Sequence, residues 1–518
     1  MTYRGVLGPG SLDVLGGASV QTAVVDSGPY AHAERFPLDD IQWYNLGYGA
    51  TQQQVGSLYQ DWALLSIFGR ANYSLRDRYL FTVTARRDGS SRFGANNKWA
   101  TFPSAAFAWR LSDEPFMRDR GPFSDLKLRL SYGATGNQGV RPYQSLPIMS
   151  AAPLSLVPGQ EFVAMRPSGT KPNPNLRWET TRQFNVGIDA GLFDNRLTLT
   201  LDAYRSVTKD LLLLVDLPRS SGYTNQLQNI GSVQNRGVEL GLSTLTLQRG
   251  KLTWRSTLNV SANRNKVLDL GGQQYIRPGM SRYGWFIDGN ESYIVQVGLP
   301  LGSIYGYQVN GLWQQGDVCN LKPPQDKDCT PGEYKVADLD RDGLITPADR
   351  TILGYTEPKF YGGFGNNIAW GPLTLDVFFN FSYGNRVANV NNVFSELATG
   401  FLNERAEVLN RWTPQNTNTT IPRANNARPR RLYSTFVEDG SYLRLQTITL
   451  GYEVPPRLVP GARTARLYFT GQNLFVLTGY SGFDPEVNSI GGDSRFRGVD
   501  AGAYPRSRVV NVGLTVSF

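Results

Sequence analysis

Histidine and cysteine are nearly missing from this 518-residue chain, which has one of the first, His32, and two of the second, Cys319 and Cys329. A single imidazole leaves no histidine-centred metal site and no Ser–His–Asp triad to consider. The nucleophile elbow G-x-S-x-G and the phosphate-binding glycine loop are absent too. No Asp/Glu pair sits in a context that separates an acid from a base. The chain is therefore not expected to be an enzyme. No run of about 18 apolar residues occurs, which excludes membrane-spanning helices. The formal charge is +9, but Lys and Arg are scattered, as at Arg86-Arg87 and Arg205. They form no basic stripe, so no nucleic-acid partner is expected. The two cysteines stand ten residues apart in a loop rich in Pro and Asp. They read as a local disulfide in an oxidising compartment, or else as two free thiols.

Glycine (55), tyrosine (26), phenylalanine (25) and tryptophan (10) are plentiful, a mix suited to strands, turns and aromatic girdles. At the chain's end Val510, Val512, Leu514, Val516 and Phe518 alternate with Asn511, Gly513, Thr515 and Ser517. A strand has a side-chain period of two, so this segment is apolar on one face and polar on the other. An apolar edge strand invites aggregation in water. A transmembrane barrel pairs that strand and covers its apolar face with lipid. The edge of a soluble β-sandwich is the alternative.

The alternation recurs from about Asp61 onward. Tyr79, Phe81, Val83 and Ala85 share a face, as do Leu126, Leu128, Leu130 and Tyr132. Phe184, Val186, Ile188 and Ala190 lead through a turn at Asp194-Asn195 to Leu197, Leu199, Leu201 and Ala203. Leu373, Leu375, Val377, Phe379, Phe381 and Tyr383 follow a turn at Gly371-Pro372. Long connections fall near 140–178, 210–232, 268–302, 315–358, 385–438 and 479–505. Short turns at one end and long loops at the other are the layout of an outer-membrane barrel. About fourteen strands are counted this way. Between Leu445 and Ile448 the apolar phase flips, which predicts a bulge or a loop-to-strand transition. Residues 1–60 alternate weakly and are read as a loop remnant or partial strands, with residues 61–518 as the barrel. No apolar signal segment follows Met1-Thr2-Tyr3-Arg4-Gly5. An exported barrel needs one, so the chain is expected to be a fragment.

Four strings occur in order. They are Arg87-Asp88-Gly89-Ser90-Ser91-Arg92-Phe93-Gly94 with Phe102-Pro103-Ser104, and Leu126–Gly133 running into Thr135-Gly136-Asn137-Gln138. The others are Asn229-Ile230-Gly231 with Asn235-Arg236-Gly237-Val238-Glu239-Leu240, and Gly471-Gln472-Asn473-Leu474-Phe475 with Gly482-Phe483-Asp484-Pro485-Glu486. From Asp61 to Phe518 the chain resembles the C-terminal barrel portion of SusC/RagA-type TonB-linked outer membrane proteins. The resemblance implies an all-β antiparallel barrel of about 22 strands around a plug. It also implies uptake of oligosaccharides or peptides, with a SusD-like lipoprotein as lid and TonB as the drive. The plug and the TonB box are not found in this sequence, so TonB is expected to act only through a missing N-terminal region. A calcium-stabilised surface protein that binds ligands without transport is the alternative, and a siderophore-type TonB-dependent receptor is another.

The segment Asp338-Leu339-Asp340-Arg341-Asp342-Gly343-Leu344-Ile345-Thr346-Pro347-Ala348-Asp349 has the spacing of a calcium loop. Asp338, Asp340 and Asp342 can converge on one hard cation, and Gly343 permits the turn. The Leu344 carbonyl can add an oxygen, Thr346 can hold a bridging water, and Asp349 stands where a Glu usually closes the site. The loop resembles a dockerin-type half EF-hand; an Asp-Gly turn in a solvated loop is the plain alternative. Around Asp88, Arg87 and Arg92 read as a strand-end turn with local ion pairs, or as a contact surface inside the lumen. Tyr283, Trp285, Tyr293, Trp313 and Tyr480 could stack on sugar rings, or pack in girdle and loops.

Overall fold

The computed structural model describes residues 1–36, 46, 51–117, 121–157, 160–167, 169–278, 292–397 and 403–518. Fifteen strands form one sheet in chain order. They are β1 (Thr2–Leu7), β2 (Gly10–Glu34), β3 (Thr51–Leu75), β4 (Tyr79–Ser90), β5 (Trp99–Arg110), β6 (Phe123–Asn137), β7 (Glu179–Leu192) and β8 (Leu197–Lys209). The remainder are β9 (Ser232–Arg249), β10 (Leu252–Asp269), β11 (Phe360–Trp370), β12 (Leu373–Tyr383), β13 (Tyr442–Val454), β14 (Thr464–Thr478) and β15 (Val509–Ser517). β1 and β15 stand at the two ends of that order. Among the described residues no helix is long and apolar enough to cross a membrane.

Of the two readings of residues 1–60, the described residues follow the strands and not the loop remnant. β1, β2 and the start of β3 are strands of the main sheet, and His32 lies on β2. β2 and β3 pair antiparallel from Gly10↔Leu75 to Glu34↔Thr51, with register shifts after Ser27 and His32. The side chains of β2 are mostly small, as in Gly16-Gly17-Ala18-Ser19, so its own alternation is faint. Backbone hydrogen bonds to β3 hold it in place, and those bonds are blind to side-chain type.

By contacts the chain divides into two compact units. In the first (Met1–Ala108, Ser131–Phe184 and Val207–Ser232) a core of Phe93, Phe102, Val140, Leu176, Trp178 and Leu227 gathers where strands give way to connections. The Trp178 ring lies 4.9 Å from that of Phe93, and its Nε1 donates to the Lys98 carbonyl at 3.0 Å. A Cβ on Gly94 would stand 1.7 Å from the Pro174 carbonyl oxygen, so only glycine fits there.

The second unit (Trp109–Leu130, Asn185–Ser206 and Val233–Phe518) holds β10 to β15. β11 and β12 meet at Gly371, whose φ of 57° suits a two-residue turn, with Trp370 opposite Leu373. At the turn between β7 and β8, Asp194 and Asn195 take φ of 56° and 58°, a left-handed conformation these residue types tolerate best. The phase flip in β13 is a bulge. Phe378 pairs with Thr447 and Phe379 with Leu445, so Gln446 is skipped. Facing it, β14 slips between Gln472 and Phe475, with Asn473 at φ 51°. The bulge returns Leu443 and Leu445 to the face occupied by Ile448, Leu450 and Tyr452. On the polar face, Arg129 bridges Asp189 and Asp202 at 2.9 Å each, and Lys127 joins Asp189 at 2.9 Å.

Val377 sits at the middle of β12 on the face the alternation assigns to lipid. Val377→Arg is expected to lower stability by about 2–4 kcal/mol, because the charge has no water at that depth. Urea titration of the protein folded into lipid vesicles reads this directly. A change near zero would place that face toward water.

Candidate functional site

The long connections of the second unit fold into structure of their own. Short strands at Ser303–Tyr307 and Arg350–Tyr355 pair antiparallel, and Arg386–Asn389 pairs with Val437–Asp439 and, in parallel, with Val499–Asp500. A short helix, Val390–Ser395, follows directly. Beneath these lies a core that includes Tyr293, Ile304, Val393, Leu397, Tyr433 and Phe436. Its polar anchor is Glu333, which accepts from Arg423 Nε, Asn425 Nδ2 and Arg428 Nε, each at 2.9 Å. Arg428 also donates to the carbonyls of Leu397 and Arg423. Burial pushes the neighbouring Tyr334 hydroxyl up to about 12.

The acidic loop sits beside this core. Ligand oxygens of Asp338, Asp340 and Asp342 lie within 4.8 Å of one another. Each of the three also accepts a local backbone N–H: Gly343 donates to Asp338, Asp342 to Asp340, and Leu344 to Asp342. Gly343, at φ 86°, makes the reversal. The second oxygen of Asp338 is buried with no donor. Asp340 accepts a bond from Asp342 N–H that favours its charged form; burial and the charges of Asp342, Asp349 and Asp338 outweigh it and raise the Asp340 carboxyl.

Asp349 is not among the converging oxygens. It is fully buried, and its two oxygens accept from Leu339 N–H and Thr346 N–H, each at 2.7 Å. With Thr346, whose hydroxyl accepts from Ala348 N–H, it forms the capping box of a short 3-10 turn. The structure thus brings together three of the expected metal residues and gives Thr346 and Asp349 a structural task. The Leu321–Gln325 segment closes over the loop. Gln325 accepts from Ile345 N–H, and Lys322 N–H donates to the Gly343 carbonyl at 2.7 Å. Cys319 and Cys329 are bonded to each other next to it, with Cα atoms 5.6 Å apart.

The aromatic residues proposed for sugar stacking are placed otherwise. Tyr293 is fully buried and donates to the Arg497 carbonyl at 2.9 Å. Trp313 is buried under the Lys335 ammonium, 4.5 Å above its ring. Tyr480 is buried and donates to Asp500 at 2.6 Å, and burial together with that bond raises its hydroxyl well above the usual range. Tyr283 and Trp285 lie outside the described residues. In the first unit the arginines near Asp88 have local partners. Arg86 clamps both Asp88 oxygens at 2.8 and 2.9 Å, Arg87 lies over the Trp99 ring, and Arg92 lies 4.2 Å above the Trp62 ring.

Residues 8–474 match the family described as TonB dependent receptor-like, beta-barrel. The chain belongs to that TonB-dependent receptor family. It is 38% identical to TonB-dependent receptor P3 of Formosa agariphila, over 100% of this chain and 52% of that protein. It is 32% identical to TonB-dependent receptor SusC of Bacteroides thetaiotaomicron, over 88% of this chain and 44% of that protein. The structure of the RagAB peptide transporter superposes with a TM-score of 0.82 at 27% identity, over 100% of this chain and 54% of that chain. The chain therefore spans about half the length of the curated relatives it matches.

This is an outer-membrane family of receptors with SusC- and RagA-type members, as the four ordered strings indicated. The strings themselves hold the fold. Phe93 is core, Asn229 spans the Arg177 and Asp210 carbonyls, and Asn473 makes the bulge in β14. Asp484 pairs with buried Arg444 at 2.6 Å.

Removing the charge of Glu333 leaves the buried Arg428 guanidinium uncompensated. Glu333→Gln is expected to cost about 3–5 kcal/mol, read as a lower midpoint in thermal unfolding. The double replacement Glu333→Leu with Arg428→Met should recover most of that loss. An unchanged midpoint in the single variant would mean that the ion group does not hold these loops.

Proposed function

We propose that this chain is the barrel part of a TonB-driven importer that brings oligosaccharides or peptides across the outer membrane, with a SusD-like lipoprotein over its long loops. The observation that carries the reading is the whole-chain likeness to receptor P3, joined by SusC and the RagAB peptide transporter. The build of the sheet agrees. Turns such as 371–372 and 250–251 are short, while the connections at the other strand ends are long and, in their described residues, hold short strands and helical turns of their own. In barrels of this kind the long loops face outward, where substrate arrives. Lipid is the partner of the apolar face, and the polar inner face suits a hydrated passage. Deleting the gene for the full-length protein should abolish growth on one oligosaccharide or peptide source, and loss of TonB should do the same. A lipoprotein should co-purify with the protein in mild detergent. Normal growth of the deletion strain on every such source, with no lipoprotein recovered, would overturn the reading.

A calcium ion at Asp338, Asp340 and Asp342 is proposed as a structural part of the loops. The donorless buried oxygen of Asp338 supports it, since a hard cation would satisfy that acceptor. All three ligands are oxygens, which suits Ca²⁺ over softer metals. When bound, the ion would pin the loop against the Glu333-anchored core rather than do chemistry. Calcium titrated into chelator-treated protein should bind with a Kd on the order of 10⁻⁵ to 10⁻³ M and raise the melting temperature. Asp338→Ala should abolish both effects. Equal melting curves with calcium and with chelator would remove the ion from the account.

A further inference from the structure

The loops also enclose a cavity of about 650 Å³ that the sequence did not announce. Sites for small ligands run to roughly 300–1,000 Å³, so this one can hold a sugar ring or two. Its walls include Asn389, Asn391, Asn392, Arg405, Phe483 and Tyr504.

The polar wall is rigid. Asn389 and Asn392 each direct Nδ2 at Glu438 and at Ser481 Oγ, and Ser481 N–H and Oγ also bind Glu438. Asn391 Oδ1 accepts from Gly502 N–H at 2.7 Å. Arg405 does not bring a free charge. Its guanidinium pairs with Glu396 at 3.0 Å and Glu407 at 3.2 Å, and donates to Asn392 Oδ1 at 2.9 Å. The cavity thus offers fixed amides and hydroxyls with the arginine already balanced. Asn389 is 1% exposed, and its Oδ1 has no donor from the protein.

The apolar part stands at the surface. Phe483 is 81% and Tyr504 92% exposed, whereas Tyr480, Phe436 and Phe496 in the same folded loops are at most 6% exposed. Tyr275 and Tyr355 in these loops are partly open, at 49% and 42%, and Phe483 and Tyr504 stand more open than either, side by side at one cavity. A pyranose ring has C–H faces that lie on aromatic rings and an equator of hydroxyls that pair with amides. It carries no charge, so it needs no counter-ion in the wall. A peptide brings charged termini and side chains, whereas the Arg405 guanidinium in this wall is already paired with Glu396 and Glu407. We propose that this cavity binds a neutral hexose or pentose unit of an oligosaccharide, with Phe483 and Tyr504 as stacking platforms and the Asn391 amide as a hydroxyl partner. The proposal rests on the importer reading for the fate of the bound sugar, and it narrows the substrate to neutral saccharides.

The test uses the full-length protein in detergent, titrated calorimetrically with hexasaccharides of β-1,4-glucan, β-1,3-glucan, α-1,4-glucan and β-1,4-xylan, and with hexa-alanine. At least one saccharide should bind. The double replacement Phe483→Ala with Tyr504→Ala should weaken it by about tenfold or more. Tyr504→Phe should keep most of the affinity, since stacking needs the ring and not the hydroxyl. Both rings are exposed, so these variants should fold, and an unchanged melting temperature confirms it. No saccharide binding, binding of hexa-alanine alone, or equal affinity in the double variant overturns the proposal. So does a double variant that loses only its lipoprotein partner, because the rings would then be a protein contact. Growth on the bound sugar separates the two claims. A gene deletion that leaves growth intact overturns the importer role while the binding result stands. A deletion that stops growth, fully restored by the double variant at wild-type affinity, overturns the cavity and leaves the importer.

Discussion

Backbone pairing is the constraint on which everything else depends. In hydrocarbon there is no water to satisfy a free N–H or C=O, so a chain that crosses it as strands must give each strand two neighbours. That demand explains the sheet's strict chain order, its short turns, and its tolerance of segments with almost no apolar signal, such as β2. It also explains why irregularities take the form of bulges. At Leu445–Thr447 one residue leaves the ladder and pairing resumes at once, with the apolar face restored.

Where the strands end, a different balance takes over. The connections have water to satisfy their backbone, so they need a core of their own to be ordered. They build it from Tyr293, Ile304, Val393, Tyr433 and Phe436, with Glu333 and Arg428 as a buried charge pair among them. A buried pair of this kind adds little net stability, but breaking it is costly, so it specifies one loop arrangement over others. The same rigid scaffold holds the aspartates of the acidic loop and the asparagines of the cavity. Functional groups on loops are useful only when something this stiff supports them.

Much of this was legible in the residues. Alternation in β4, β6, β7, β8, β12 and β15 was plain, the turns at Asp194-Asn195 and Gly371-Pro372 carried their usual chemistry, and the phase flip marked the bulge. The strands of residues 1–60 were legible only as partial strands, because small side chains leave a faint period, and their length was not legible. The acidic loop was legible as spacing, yet spacing could not show that Asp349 would turn inward to bind Leu339 and Thr346 N–H. The loop aromatics show the same limit. Composition says that a ring is in a loop but not which way it faces; of the two readings open for Tyr293, Trp313 and Tyr480, packing in the loops is the one they follow, while Phe483 and Tyr504 face outward.

By itself the sequence determined the fold class and the family. Period-two alternation is a local property that survives in one dimension, and the ordered strings are local too. Only the tertiary structure decided which polar groups meet. Asn389, Arg405, Ser481 and Gly502 span more than a hundred residues of sequence and come together because parallel pairing sets Arg386–Asn389 beside Val499–Asp500. No local pattern encodes such a pairing, since its hydrogen bonds run between backbones and its cost is the entropy of closing a long loop.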